Sequence, residues 1–208
     1  ENPTYPGAIA AFRSCGAKII DIKNIDISKI KSDEVFAIDT NALIWTHYSK
    51  ASDPKLNKHP YQVIAYPNFI SRLLQNGNKI VTTTLNISEL CGVVEKNEYE
   101  LYKAIHSQKN LKFKDYRKQT DQRRSYKEEL DTMIMEIKDA YDNQIEIVEI
   151  DPAIILSFQS EICNNRCDIF DYAIIEYFKK MRIVNYISDD KDFETIDGIN
   201  LYTTYEIP

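Results

Sequence analysis

Several features that would assign the sequence to a common class of protein are missing. The five glycines are dispersed, and neither Gly-x-x-x-x-Gly-Lys nor Gly-x-Gly-x-x-Gly occurs, which argues against a nucleotide cofactor. No apolar run approaches the roughly 20 residues that span a bilayer, and the N-terminus has neither the basic start nor the apolar stretch of a signal peptide. The sequence therefore predicts a cytoplasmic protein with no membrane partner.

Cysteine and histidine are too scattered to form a recognisable metal site. The chain has no Cys-x-x-Cys pair, no zinc-finger spacing and no His-Glu-x-x-His. Free thiols in a reducing compartment explain the cysteines, and surface or packing roles explain the histidines. The residues concerned are Cys15, Cys91, Cys163, Cys167, His47, His59 and His106.

The remaining composition is typical of a globular protein with one domain. The chain has 208 residues, of which 43% are hydrophobic and 28% charged. Its formal net charge of −6 differs from that of a uniformly basic nucleic-acid binder. The distribution of charge matters more than the sum, because acids gathered in one crevice offset basic residues that act elsewhere.

Carboxylates stand just after two of the predicted strands. Val35–Ile38 is a continuous apolar run typical of a strand buried on both faces, and residues 183–188 form a second strand. Open α/β sheets place their ligand crevice at the carboxyl ends of the strands. Several carboxylates in one crevice repel one another, and hard cations such as Mg²⁺ or Mn²⁺ relieve that repulsion. The polar residues that follow these strands are Asp39, Asn41, Asp190 and Asp192.

A third pair of acids begins a predicted helix. The apolar stripe from Phe170 to Met181 has helical spacing, with Asp171 at its edge and Asp168 one turn earlier. Either acid, taken alone, could cap the helix, and each acid that follows a strand could belong to a turn. The whole set favours a metal site more strongly than any single member does.

Strands and helices alternate along the chain, which predicts an α/β fold with a mainly parallel sheet. Residues 1–34 form an N-terminal arm of uncertain structure, with an edge strand or a short strand and turn at 17–31. Thr40 or Asn41 is the expected N-cap of the first helix. Residues 98–141 lack proline and glycine, which predicts a helical hairpin that projects from the sheet and is broken between 107 and 121. The other expected strands are 79–82 and 145–150, and the other helices are 68–75, 87–94, and one from Pro152 toward Cys163.

The hairpin segment is basic and interleaved with Phe113, Tyr116 and Tyr126. Such a segment could hold RNA phosphates and stack bases, and a solvated helix face without special function is an equally good interpretation. An acidic or amphipathic segment of another protein is a third candidate partner for this surface. The basic residues are Lys109, Lys112, Lys114, Arg117, Lys118, Arg123, Arg124 and Lys127.

Taken in order, four short motifs resemble those of the PIN-domain nucleases over residues 35–202. They are Ile-Asp-Thr-Asn, Ser-Glu-Leu, Phe-Asp-Tyr-Ala-Ile-Ile and Ser-Asp-Asp-Lys-Asp-Phe. In the last motif Ser188 stands where the family usually has threonine, and the hydroxyl is kept. The resemblance implies a three-layer α/β/α domain over 35–208, with the basic helical insertion near 98–142. That insertion and the N-terminal arm are longer than a minimal member needs.

The resemblance also implies roles for individual residues. Asp39, Glu89, Asp171 and Asp190 would be the catalytic metal ligands, with Glu89 assigned by the resemblance alone. Further implied ligands are Asp168 and Asp192, and implied supporting residues are Asn41 and Ser188.

The expected function is a divalent-metal-dependent endoribonuclease that uses Mg²⁺ or Mn²⁺. Among PIN proteins the most similar class is the VapC-like toxins, which implies an antitoxin partner beside the RNA substrate. A homodimer is another candidate assembly. The alternatives are a DNA or structure-specific nuclease and a catalytically silent nucleic-acid-binding scaffold, and the retention of every acidic motif position argues against the scaffold.

Overall fold

The computed structural model describes residues 16–56, 61–139, 145–157 and 166–204, in which strands and helices alternate. The strands are β1 (Lys18–Asp21), β2 (Val35–Ile38), β3 (Lys79–Thr83), β4 (Ile145–Val148), β5 (Asn185–Ile187) and β6 (Asn200–Thr203). The helices are α1 (Thr40–His47), α2 (Gln62–Gln75), α3 (Thr84–Ile105), α4 (Phe113–Tyr116), α5 (Thr120–Asp139), α6 (Pro152–Ser157) and α7 (Ile169–Lys180), with 3₁₀ helices at Ile27–Lys29 and Lys191–Thr195. In these four ranges no helix is both long and apolar enough to cross a membrane.

The strands form one parallel sheet in the order β1-β6-β5-β2-β3-β4. The chain runs outward from β2 through β3 to β4, whereas β5 and β6 extend the sheet on the other side of β2. The carboxyl ends of β2, β3 and β5 therefore meet where the winding direction changes. Crevices at such a switch point are the usual ligand sites of open α/β sheets.

Both faces of the sheet are covered, which makes the fold a three-layer α/β/α sandwich as predicted. On one face Phe36 and Ile38 of β2 pack into a core with Leu43 of α1 and Leu73 of α2. On the other face the intervening Ala37 packs into a second core with residues of α7 such as Ile175 and Phe178. The alternation along β2 explains its uninterrupted apolar sequence, because every side chain meets one core or the other.

The predicted helical hairpin is present as α3 and α5, with its break between residues 105 and 120 occupied by the short α4. The base of the hairpin does not stand clear of the sheet. Met133 and Ile137 of α5 are completely or almost completely buried in the core on the α1 side. The hairpin is therefore anchored on the sheet at its base, and its basic tip lies around α4.

Some local boundaries differ from those expected. Asp39 itself, and not Thr40 or Asn41, is the N-cap of α1. Helix α2 begins at Gln62 and passes through Pro67, and β6 had no strand prediction. The N-terminal arm supplies β1 as an edge strand paired with β6. The expected helix toward Cys163 is described as far as Ser157, and its remainder lies outside the described residues.

Candidate functional site

Four of the predicted acidic residues line one cavity of about 320 Å³ at the carboxyl edge of the sheet. Asp39 follows β2, Glu89 lies in the second turn of α3, Asp171 lies in the first turn of α7, and Asp190 follows β5. These elements belong to distant parts of the chain and are brought together by the parallel sheet. The cavity is called the carboxylate pocket below.

Asp39 is held in place by several hydrogen bonds. Its Oδ1 accepts from the backbone N–H of Thr40 at 2.7 Å and from Nδ2 of Asn86 at 3.3 Å. Its Oδ2 accepts from Oγ of Ser188 at 2.8 Å. The carboxylate therefore combines a helix-capping role with a fixed position in the pocket.

Asn41 and Ser188, predicted as supporting residues, form a connected pair beside Asp39. Ser188 is completely buried, and its Oγ accepts from the backbone N–H of Asp190 at 3.0 Å and from Nδ2 of Asn41 at 3.3 Å. Oδ1 of Asn41 accepts from the backbone N–H of Asp189 at 3.0 Å. This network fixes the turn after β5 against the start of α1, which sets where Asp39 and Asp190 stand relative to each other.

Two polar residues that the sequence did not single out orient Glu89. Oγ1 of Thr40 donates to Oε2 of Glu89 at 2.7 Å, and Nδ2 of Asn86 approaches Oγ1 of Thr40 at 3.2 Å. Asn86 also completes a capping box with Thr83 at the start of α3. The Thr-x-x-Asn spacing was a visible sign of the cap, but nothing in the sequence indicated that the same amide reaches Asp39.

The electrostatics of the pocket are set by buried carboxylates that lie close to one another. Burial, with smaller contributions from the Glu89 and Asp190 carboxylates, raises the pKa of Asp39 to about 7 against the effect of its hydrogen bonds with Ser188 and Thr40. Burial, followed by the charge of Asp39, raises the pKa of Asp171 to about 8. The described residues that line the pocket include no lysine and no arginine.

The other two predicted ligands are placed differently. Asp168 is the N-cap of α7, where its Oδ1 accepts from the backbone N–H groups of Phe170 at 2.8 Å and Asp171 at 3.0 Å. It borders a neighbouring groove that also contains Glu89 and Asp171. Asp192 is exposed and is not part of the lining of the carboxylate pocket. Both lie near the pocket, and neither contributes to its wall.

Asp189 stands between two site residues and has a different role. Its carboxylate accepts from Nε2 of Gln62 at 2.7 Å, from the hydroxyl of Tyr66 at 2.9 Å and from Oγ1 of Thr204 at 2.8 Å. It therefore ties α2 and the end of β6 to the sheet. In the run Ser188-Asp189-Asp190 the motif resemblance selected Asp190, and the contacts show why Asp189 is the structural acid.

The donors of the pocket fit a hard divalent cation. Mg²⁺ and Mn²⁺ prefer carboxylate and other oxygen ligands, and this wall offers four carboxylates with the side-chain oxygens of Thr40 and Asn41. Within the described residues, no three acidic, histidine or cysteine side chains stand close enough together to form a preassembled metal site. The chemistry of the donor set therefore supports a cation, and the geometry defines a shared cavity without a closed cage.

The basic segment is only partly available for a partner. Arg117 and Arg123 both bind the carboxylate of Glu95 on α3, which is 7% exposed. Three more basic residues are in surface ion pairs, Lys118 with Asp115, Arg124 with Asp121 and Lys127 with Asp131. Lys109, Lys112 and Lys114 are exposed and have no ion pair within the part of the chain that the structure describes.

The aromatic residues of this segment make contacts between its helices. Tyr116 is 1% exposed and packs edge-on or tilted against Tyr99 and Tyr102. The guanidinium of Arg117 lies over the ring of Phe113, at 4.3 Å from its centroid. The hydroxyl of Tyr126 donates to the carbonyl of Cys91 at 2.9 Å. These rings attach α4 and α5 to α3, because a hairpin this polar needs apolar contacts to stay docked.

Comparison with known proteins gives a distant structural likeness and no match of sequence. No protein-family model matches the chain, and no curated protein sequence matches it. The crystal structure of VapBC2 from Rickettsia felis, bound to a DNA fragment from its promoter, contains a chain with 15% sequence identity and a TM-score of 0.47. The match covers 81% of this chain and 98% of the other. A likeness of this size carries no argument about function.

Proposed function

We propose that the chain is a divalent-metal-dependent endoribonuclease. The observation that supports this proposal is the carboxylate pocket, in which Asp39, Glu89, Asp171 and Asp190 share one cavity with no basic residue in its described wall. An acidic crevice at the switch point of a parallel sheet is suited to Mg²⁺ or Mn²⁺.

In this proposal the four carboxylates hold the cation, directly or through water. A bound divalent cation supplies an activated water and stabilises charge on the attacking and leaving oxygens of a phosphodiester. Ser188 and Asn86 keep Asp39 oriented, and Thr40 does the same for Glu89. No side chain has to act as a covalent nucleophile.

The direct test is cleavage of mixed cellular RNA by purified protein, with Mn²⁺ or with chelator, followed by sequencing of the new ends. Asp39→Asn and Asp190→Asn should each abolish metal-dependent cleavage, because each removes a charged ligand at nearly constant size. Asp26→Asn is the matched control, since Asp26 also caps a short helix and lies outside the pocket. Undiminished cleavage by both pocket variants would show that the carboxylate pocket is not the active site.

The same assay separates the alternatives. Metal-dependent cleavage of DNA in preference to RNA would identify a DNA nuclease, and specific binding without new ends would identify a silent scaffold. Growth arrest on expression of the wild type, absent with Asp39→Asn, would support a toxin role and with it an antitoxin partner. Co-purification and mass measurement would then distinguish an antitoxin complex from a homodimer.

For the RNA backbone we propose contacts from the exposed lysines at the hairpin tip, Lys109, Lys112 and Lys114. Neutralising the three together should weaken RNA binding and reduce the log–log salt slope by about 0.7 for each phosphate that no longer has a lysine beside it. Lys118→Ala with Arg124→Ala is the control, because both residues already have acidic neighbours. An unchanged slope in the triple variant would mean that this tip does not contact RNA.

A further inference from the structure

One wall of the carboxylate pocket is formed mainly by apolar side chains. Beyond the acids, its lining is formed by Ile44, Trp45, Ala51, Leu56, Val93 and Asn97. Helix α1 contributes residues at positions 41, 44 and 45, which share one face of the helix. Helix α3 contributes residues 89, 93 and 97, again on one face. One cavity thus has charged and apolar parts, and α1 and α3 contribute most of the residues that lie beyond the acids.

The spacing along α3 gives the length of this cavity. Glu89 and Asn97 are separated by eight residues, which corresponds to about 12 Å at about 1.5 Å per residue. The face of α3 that lines the cavity carries the Glu89 carboxylate first, then the aliphatic Val93 and finally Asn97. The amide of Asn97 has both a donor and an acceptor. A group bound at the acidic end would therefore have space beside it for a flat apolar group with polar edges.

Trp45 packs against the core on the α1 side and also borders this wall. It is half-buried, and its indole N–H is buried without a hydrogen-bond partner among the described residues. A buried donor without a partner is unfavourable, by roughly 1 to 3 kcal/mol. A phenylalanine or leucine would fill the same site without that penalty, so the large aromatic surface facing the pocket is the feature that requires explanation.

We propose that this wall, centred on Trp45 and ending at Asn97, binds the base of an unpaired nucleotide next to the phosphodiester held at the carboxylates. The inference rests on the proposed nuclease function and adds a base-binding subsite to it. Bases in a duplex are stacked on their neighbours, whereas unpaired bases are free to lie on an aromatic side chain. The protein would then prefer certain bases at one position beside the cut.

The sequence supplies a direct probe, because Trp45 is the only tryptophan of the chain. Its fluorescence in the full chain should be measured during titration with each of the four ribonucleoside 5′-monophosphates, in Mg²⁺ and with the Asp39→Asn variant in parallel. Ribose 5-phosphate is the matched ligand, since it has the sugar and phosphate without the base. We expect a saturable change with the nucleotides, stronger for some bases than for others, and no such change with ribose 5-phosphate.

Substitutions test the same wall through the reaction. Trp45→Leu and Asn97→Ala should raise KM about fivefold to a hundredfold, as expected when one base is no longer held, with a much smaller change in kcat. They should also flatten the base preference beside the cut. Trp45→Phe keeps an aromatic ring and should restore part of the preference, which separates stacking from folding. Asn68 is an exposed asparagine of α2 outside this pocket, and Asn68→Ala should leave KM and the base preference unchanged.

The outcomes distinguish this inference from the nuclease proposal. RNA cleavage with no base-dependent fluorescence change would overturn the base-binding wall and leave the nuclease intact. Base-dependent fluorescence without cleavage would support the wall and overturn the nuclease. If nucleotides and ribose 5-phosphate behave alike, while a purified inhibitor protein changes Trp45 fluorescence, the wall receives a protein side chain and the inference is wrong.

Discussion

Helix α3 contributes carboxylates to two regions of the protein, and these regions differ in whether cationic side chains lie beside the carboxylates. Glu95 and Glu98, each 7% exposed, are paired with Arg117 and Arg123 in one case and with Lys50 in the other. Two turns earlier Glu89 faces the carboxylate pocket, whose described wall contains only acids as charged groups. Arginine and lysine side chains thus pair with Glu95 and Glu98, and none belongs to the described lining of the pocket.

The two regions also differ in the direction of their pKa shifts. Hydrogen bonds from Arg117 hold the pKa of Glu95 below its ordinary value. In the pocket, burial raises the pKa of Asp39 and Asp171 to about 7 and about 8. Burial alone therefore does not decide the state of a carboxylate. The partner also decides it, and the described residues that line the pocket include no lysine and no arginine.

The largest expected effect comes from introducing a cationic side chain into the carboxylate pocket, which makes the pocket resemble the region around Glu95. Val93→Lys places an ammonium one helical turn from Glu89, and it should lower Mg²⁺ affinity about tenfold or more by charge repulsion. Val93→Met has a similar length without the charge and should change the affinity by less than about threefold. Calorimetric titration measures both, and equal effects of the two variants would show that charge is not what the pocket selects.

The reverse experiment removes cations from the structural region. Arg117→Ala with Arg123→Ala leaves the Glu95 carboxylate nearly buried and unpaired, which should lower the free energy of unfolding by about 2 kcal/mol. This figure is below that for a fully buried pair because both arginine side chains are nearly half exposed. Urea denaturation gives the value. The pair Lys118→Ala with Arg124→Ala should change it by at most about 0.5 kcal/mol.

The contributions of the two regions to stability should change with pH in opposite directions. Because the pKa values of Asp39 and Asp171 are raised, their contribution to stability is complete below about pH 4. It is lost as the pH rises through about 7 and 8, with a slope of up to about 1.4 kcal/mol per pH unit for each group. The contribution of Glu95, whose pKa is lowered, is present above its ordinary value and is lost in acid.

Denaturation in chelator at a series of pH values measures this difference. Asp39→Asn should be less sensitive than the wild type between about pH 4 and 8 and should keep the same loss of stability in acid. Comparing the two proteins cancels the titration of His47, which they share. Parallel curves over the whole range would mean that Asp39 is already compensated in the folded protein.

Short local patterns were enough to predict one part of the fold and of the pocket. The apolar run of β2 requires two covered faces, so a buried strand ending in Asp39 could be expected from the sequence. The stripe of α7 likewise placed Asp171 near its first turn. The parallel sheet then brought these acids together, because all its strands end at one edge.

Contacts between distant segments determine the features that the sequence did not reveal. Helix α2 continues through Pro67 because Tyr66 is buried and hydrogen-bonded to Asp189, a packing gain that local propensity does not show. Asn86 reaches Asp39 from 47 residues away. Arg117 and Arg123 resembled a nucleic-acid surface because their partner, Glu95, lies on another helix.

Whether the carboxylate pocket holds a divalent cation is decided by thermal melts of the wild type and Asp39→Asn, each in chelator and in Mn²⁺. Metal at about a hundredfold excess over its dissociation constant should stabilise the wild type by about 2.7 kcal/mol. Asp39→Asn removes one repelling charge and one ligand, so it should melt at or above the wild type in chelator and gain much less from the metal. Equal metal-induced shifts in the two proteins would contradict the assignment of Asp39 as a ligand.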